Sequence, residues 1–335
     1  MIRPFLINFL LILLSVRINI AAESCEDCIS SGKKYCATFD RCDVSPCIST
    51  IDKLLNCPKL PSRENAYNES FARKQIFVLA AAAFTDHPDA CFKNQMPTTT
   101  FFKSVDVPCS NKGPKCTCFG YTAYDESQKA IVMSFRGTEG GVQLMDEILD
   151  FFTGKKPFFD AGNIFTYFYD AFYFLWNGGL EAQVRTLKYR YPDYQLWVTG
   201  HSLGASIASI AASHAVKVGI FNGTNVRLVT FGQPRTGDYL YSSWHEQTFP
   251  YSYRIVHHRD PVPHVPPQDG ADELFHHRTE IWYNNDMFVG SSYSVCKEAD
   301  GFYCSNANLD DEPQDHLHYF NVAISDWGGA GCPKQ

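Results

Sequence analysis

An α/β fold built on a mainly parallel sheet is predicted for most of this chain. Three observations predict it. Runs that read as buried strands alternate with runs rich in helix formers from Glu69 onward. The hydrophobic share of 45% is enough for a substantial core. The sharpest motif, "LWVTGHSLGASIA" (196–208), reads as strand, tight turn and helix in succession.

The elements run in order along the chain. "ESFARKQIFVLAAAAF" (69–84) is a helix by composition, and "KAIVMSF" (129–135) a buried strand. "GGLEAQVRTLKYRYP" (178–192) is a helix stopped before Pro192. "QLWVTG" (195–200) is the next strand and "GASIASIAASHAVKVG" (204–219) a helix of small residues. "VRLVTFG" (226–232) and "YSYRIVHH" (251–258) complete the strands. The aromatic stretch "IFTYFYDAFYFLW" (164–176) suits either core packing or the wall of an apolar groove.

Ahead of this lie two segments of different character. Residues 1–22 have a basic start at Arg3, a mostly apolar run from Phe5 to Val16, and small residues at Ala21 and Ala22. That is the pattern of a cleaved secretory signal. The run is too short to span a bilayer, and no later segment is long and apolar enough, so no transmembrane segment is expected after cleavage. Loss of residues 1–22 takes the net charge from −7 to −9, because Arg3 and Arg17 leave with no acid. An acidic chain argues against nucleic acid as a partner.

Residues 23–60 form a cysteine-rich segment with six cysteines between Cys25 and Cys57. So short a segment cannot bury enough apolar surface, and disulfides are expected to hold it. A zinc module is the rival, disfavoured by the oxidising compartment and the lack of histidine among these cysteines. All 13 cysteines lie beyond residue 22, so an odd thiol remains. Asn68 and Asn222 each begin a glycosylation sequon. Residues 61–335 are then the α/β domain.

Ser202 is the candidate nucleophile. A Gly-x-Ser-x-Gly alone arises by chance in about one chain in ten of this length. Its place between strand and helix is what gives it meaning: the flanking Gly200 and Gly204 allow a sharp turn, and the Leu203 N–H at the helix start points where an oxyanion would form. A helix-capping serine explains neither glycine. An activated serine needs a base oriented by an acid, in the chain order Ser, acid, His. Asp260 directly follows a strand in a proline-rich loop, with Asp238, Asp269 and Asp272 as competitors. His316 and His318 in "PQDHLHYFN" are late enough to be the base, and His316 fits the order. His201 reads as a packing residue.

Five stretches, "IVMSFRGT", "VTGHSLGAS", "VTFGQPRTGD", "RIVHHRDPVPHVPP" and "DHLHYF", resemble the class 3, fungal-lipase-like family in one of its secreted animal branches, over about residues 65–335. The resemblance implies an α/β-hydrolase fold with a triad of Ser202, Asp260 and His316, His318 being the less favoured base. It implies an oxyanion hole of Thr138 and Leu203, with Arg136 holding the loop together. It implies a helical lid at "EGGVQLMDEILDFF" (139–152) and bridges Cys296–Cys304 and Cys91–Cys332. Cys109, Cys116 and Cys118 are left for one bridge and the odd thiol. The reading is a secreted serine hydrolase of lipid esters, most directly acylglycerols, working with no metal or cofactor and in reach of a lipid–water interface. Phospholipase, other carboxylesterase (feruloyl-esterase-like included) and a non-catalytic lipid-binding member are the alternatives.

Overall fold

A computed structural model describes residues 23–111, 116–138, 153–268, 273–308 and 310–334. The stretches expected to be signal (1–22) and lid (139–152) lie outside them, as do Asp269 and Asp272. The chain divides into two compact units after Cys57.

The smaller unit is held by bridges Cys25–Cys57, Cys28–Cys42 and Cys36–Cys47. Tyr35–Cys36 pairs antiparallel with both Arg41–Cys42 and Thr50–Ile51. Its buried apolar residues are few: Tyr35, Ile51, Leu55 and the half-cystines Cys25, Cys28, Cys36 and Cys57 among the described residues. With so few apolar side chains, cross-links that limit the unfolded chain supply what burial does not.

In the larger unit eight strands form one sheet: β1 (Thr99–Pro108), β2 (Thr117–Asp125), β3 (Ala130–Phe135), β4 (Gln195–His201), β5 (Val226–Phe231), β6 (Ser252–His257), β7 (Glu280–Tyr283) and β8 (Ser294–Val295), side by side in chain order. β3 through β7 pair in parallel, and the edges are antiparallel. Both faces are covered, which is why the central strands read as continuous apolar runs. Alternation sends Ile131, Met133, Leu196, Val198 and Leu228 to one core, and Val132, Trp197, Val229 and Phe231 to the other. On the first face lie α2 (Thr166–Leu175), α3 (Glu181–Arg190) and α4 (Leu203–Lys217), after α1 (Phe77–Ala82) on the second.

The aromatic stretch at 164–176 is α2, with Tyr167, Phe168, Phe172 and Leu175 fully buried. It is core, and the groove reading gives way to packing. The antiparallel ladder of β1 with β2 adds to the expected strands: β1 alternates irregularly between buried and exposed and carries a bulge at Phe101–Lys103.

Register sets where each strand lets the chain go. Phe135 stands opposite Gly200, His201 opposite Phe231, and Phe231 opposite Ile255. The carboxyl ends of β3, β4, β5 and β6 therefore finish in one row, and the segments after them emerge together, where α/β sheets place their ligands.

Candidate active site

Ser202 sits at the second of these exits, between β4 and α4. Its φ of 57° and ψ of −127° are a sparsely populated conformation for a residue with a side chain, costing about 1–3 kcal/mol. The surroundings enforce it. A Cβ on Gly204 would fall 2.2 Å from the Phe135 carbonyl oxygen, and one on Gly200 would fall 2.2 Å from that of Gly204. Helix and strand ends approach so closely that no larger residue fits either position. The Ser202 N–H donates to the Phe231 carbonyl at 3.0 Å, fixing the turn to β5.

Leu203 opens α4 and is buried. Its N–H is at the first helical position, ahead of Ala205 and Ser206, whose N–H groups donate to the Ser202 carbonyl, and so lacks an intrahelical acceptor. Thr138 comes after β3, beyond Arg136 and Gly137. Gly137 lies against the serine turn, where its Cβ would be 3.2 Å from Ser202 Cβ. The Thr138 Oγ1 is buried and has no hydrogen-bond partner among the described residues. Arg136 fastens the loop to β2: its N–H donates to the Phe119 carbonyl at 2.9 Å, and its guanidinium lies over the Phe119 ring.

Asp260 is fully buried three residues after β6. His316 Nδ1 lies 3.0 Å from both of its carboxylate oxygens. The Val262 N–H donates to Oδ1 at 2.9 Å, and the Tyr319 hydroxyl donates to Oδ2 at 2.6 Å. Burial by itself would raise this carboxyl's pKa. The facing imidazole and the two further donors outweigh it and hold the pKa below the ordinary carboxylate value. A carboxylate can only accept, so His316 carries its proton on Nδ1, and Nε2 is the unprotonated nitrogen.

Several residues that the sequence did not tie to this pair brace it. Gly232, at φ +56°, comes directly after β5. A Cβ there would lie 2.8 Å from Asp260 Oδ2 and 2.9 Å from His316 Nδ1. Because Ser202 is bonded to Phe231, the preceding residue, the same strand end touches serine turn and imidazole. His201 Nε2 donates to the His316 carbonyl at 2.7 Å, and the two rings lie 4.5 Å apart. Burial first, and His316 next, push the His201 pKa down to about 3, so it stays neutral. His257 Nδ1 donates to the Asp315 carbonyl at 2.9 Å, and the Arg259 N–H donates to the Asp315 carboxylate at 3.1 Å. Arg235 donates to both oxygens of buried Asp300 and to the carbonyl of Pro266, tying down the proline-rich loop.

The other candidates stand elsewhere. His318 donates to the Gln314 carbonyl and does not meet Asp260. Asp238 caps a helix through the Tyr241 N–H. Cys91 is bridged to Cys332, Cys296 to Cys304 and Cys109 to Cys118, leaving the Cys116 thiol beside the Tyr167 hydroxyl. Glu280, Cys296 and Cys304 have a metal-ligand composition, but both sulfurs are spent in the disulfide. Asn68 and Asn222 are exposed. Each uses Oδ1 to accept a local backbone N–H.

The Lipase (class 3) family model matches residues 132–270, from within β3 to beyond Asp260. A Caenorhabditis elegans protein, Lipase ZK262.3, is 33% identical over 300 residues, covering 79% of this chain and 83% of that one. The chain belongs to the class 3 lipase family. It is a carboxylic ester hydrolase of the α/β-hydrolase fold. The fold likeness extends to the crystal structure of the lipase from Rhizopus microsporus var. chinensis, with a TM-score of 0.66 at 24% identity over 80% of this chain and 93% of that chain. The secreted mono- and diacylglycerol lipase 1 of Fusarium solani is 29% identical, matching 65% of this chain and 64% of its own length.

Proposed function

We propose that this class 3 lipase is a secreted acylglycerol lipase using Ser202 as nucleophile, His316 as base and Asp260 as the orienting acid. The observation that carries the proposal is the buried Asp260–His316 pair, packed against the strand end to which the strained Ser202 turn is bonded. His316 Nε2 takes the Ser202 proton as the hydroxyl attacks the ester carbonyl. The oxyanion is met by the N–H groups of Thr138 and Leu203 and by the Thr138 hydroxyl, for which the partnerless Oγ1 is suited. One such donor is worth about 3–4 kcal/mol of transition-state stabilisation. The protonated His316 then gives its proton to the leaving alcohol, and water, activated by the same imidazole, releases the fatty acid.

Acylglycerols are favoured as substrate by the class 3 lipase relatives, among them the Fusarium mono- and diacylglycerol lipase. Secretion is supported by the apolar leader and by twelve of thirteen cysteines standing in disulfides. Among the described residues no helix is long and apolar enough to cross a membrane. The test is hydrolysis of emulsified di- and triacylglycerols beside phospholipid, feruloyl and short soluble esters. Preference for emulsified acylglycerols is expected. Preference for phospholipid or feruloyl esters moves the substrate assignment to that class.

A further inference from the structure

Away from the triad, the larger unit carries a groove of about 710 Å³, within the size range of small-molecule sites. Its lining is of two kinds. Phe288, Val289, Phe320 and Trp327 supply apolar wall, with Phe288 54% and Val289 84% exposed. Lys74, Lys93 and Lys334 supply charge. Among the described residues none of the three is in an ion pair or side-chain hydrogen bond, and no carboxylate side chain lines the groove. That is unusual for a chain whose net charge is −7.

Arg73 is different, for it builds the site. It is paired with Glu69, donates to the Met287 carbonyl at 2.9 Å and lies over the Phe320 ring, 4.1 Å from its centroid. This holds the 287–289 segment, with its two exposed apolar side chains, against the groove. Ser202, Asp260, His316 and Thr138 do not line it. Phe320 faces the groove while its neighbour Tyr319 bonds Asp260.

We propose that this groove binds the anion of a medium- to long-chain fatty acid, its carboxylate among the lysines and its alkyl chain along Phe288, Val289 and Trp327. Charge complementarity selects the occupant: unpaired cations beside apolar wall match one anionic head on one hydrocarbon chain. Such a molecule is also the product of the proposed hydrolysis. That source rests on the lipase reading, whereas the binding does not.

The experiment uses the full-chain protein and dodecanoate held below its micellar concentration, measured by titration calorimetry. One-to-one binding is expected, with dodecanol bound more weakly. The Lys74→Glu/Lys93→Glu double variant, altered only at exposed side chains, should bind about tenfold more weakly, as should Val289→Asp, while both hydrolyse a short soluble ester at the native rate. A photoreactive dodecanoate should label peptides carrying Phe288, Val289 or Trp327. Binding indifferent to these substitutions, or label confined to the Thr138 and Ser202 peptides, overturns the proposal. So does binding restricted to anionic vesicles with monomeric dodecanoate ignored, which would make the groove a lipid-surface contact. Lysine-dependent binding by a protein that cleaves no ester would sink the lipase reading and leave the groove standing.

Discussion

The hydroxyl of Tyr319 donates to Asp260 Oδ2 at 2.6 Å, with both side chains fully buried. The carboxylate that faces His316 is thereby held by a second side chain on its Oδ2. Burial, and then the adjacent carboxylate, raise the Tyr319 pKa well above its ordinary value, so the phenol remains a donor throughout the working range. Tyr319→Phe should therefore lower kcat by about tenfold, with KM little changed, and destabilise the fold by about 1–3 kcal/mol through the unsatisfied carboxylate. Steady-state kinetics and urea unfolding measure the two effects. An unchanged kcat would reduce Tyr319 to a packing residue.

Gly232→Ala is expected to be far more damaging to turnover. The new methyl would lie within 3 Å of both Asp260 and His316, at a φ of +56°. Their displacement should cost at least about a hundredfold in kcat, since orientation errors near 1 Å have that effect. Gly290→Ala is the control: it has positive φ but open space around it, so it should cost about 1 kcal/mol of stability and no activity. Equal kinetic effects in the two variants would contradict the packing argument.

Low pH should unfold this protein through its buried histidines. Burial is the leading cause that holds His201 and His277 down to about 3 and His214 to about 4, and it holds His245 and His276 well below the ordinary value. The unfolded chain takes up protons at these imidazoles near pH 6.5, and the folded chain does not. Stability is thus full above about 6.5 and falls as pH drops toward 4, by up to about 1.4 kcal/mol per unit for each group. Below about 4, protonation of Asp260 adds to the loss. Scanning calorimetry between pH 7.5 and 4.5 should show a steadily falling Tm. A flat Tm would mean that these histidines are not neutral and dry in the folded state.

The Cys91–Cys332 bridge closes a separation of 241 residues. Cys91→Ala/Cys332→Ala should lose about 2–5 kcal/mol, read as a lower urea midpoint. Activity at moderate temperature should survive, because neither sulfur lies at the triad. A variant as stable as the native chain would show the bridge to be dispensable.

Four of the parallel strands, β3 to β6, were legible because each buries both faces and so reads as an unbroken apolar run, as in "IVMSF" and "LWVT", whereas the short parallel strand β7 was not. The edge pair β1–β2 was not, since a partly exposed and bulged strand such as Thr99–Pro108 leaves no clean period. At the site, chain order and a strand end pointed to Asp260 and to a late histidine, and the family resemblance favoured His316 over His318; the fold sets Asp260 and His316 3.0 Å apart. The residues that brace them were hidden for a physical reason. Tyr319 is 59 residues from Asp260 in sequence, and His201 bonds a backbone carbonyl 115 residues away. Contacts of that separation leave no local pattern. Gly232 had a visible signal, a glycine at the end of a buried strand, but its meaning depends on two side chains that arrive from elsewhere.

Ser202 as nucleophile is the claim on which the proposed chemistry rests, and covalent labelling tests it most directly. The native protein and its Asp260→Asn variant would be treated with a fluorophosphonate and digested for peptide mapping. One adduct is expected, on Ser202 in "VTGHSLGAS", with labelling slowed by about 10⁴ in the variant, because His316 would then hold the wrong tautomer. A folded protein that takes no label, or takes it on another serine, would contradict the nucleophile assignment and the mechanism built on it.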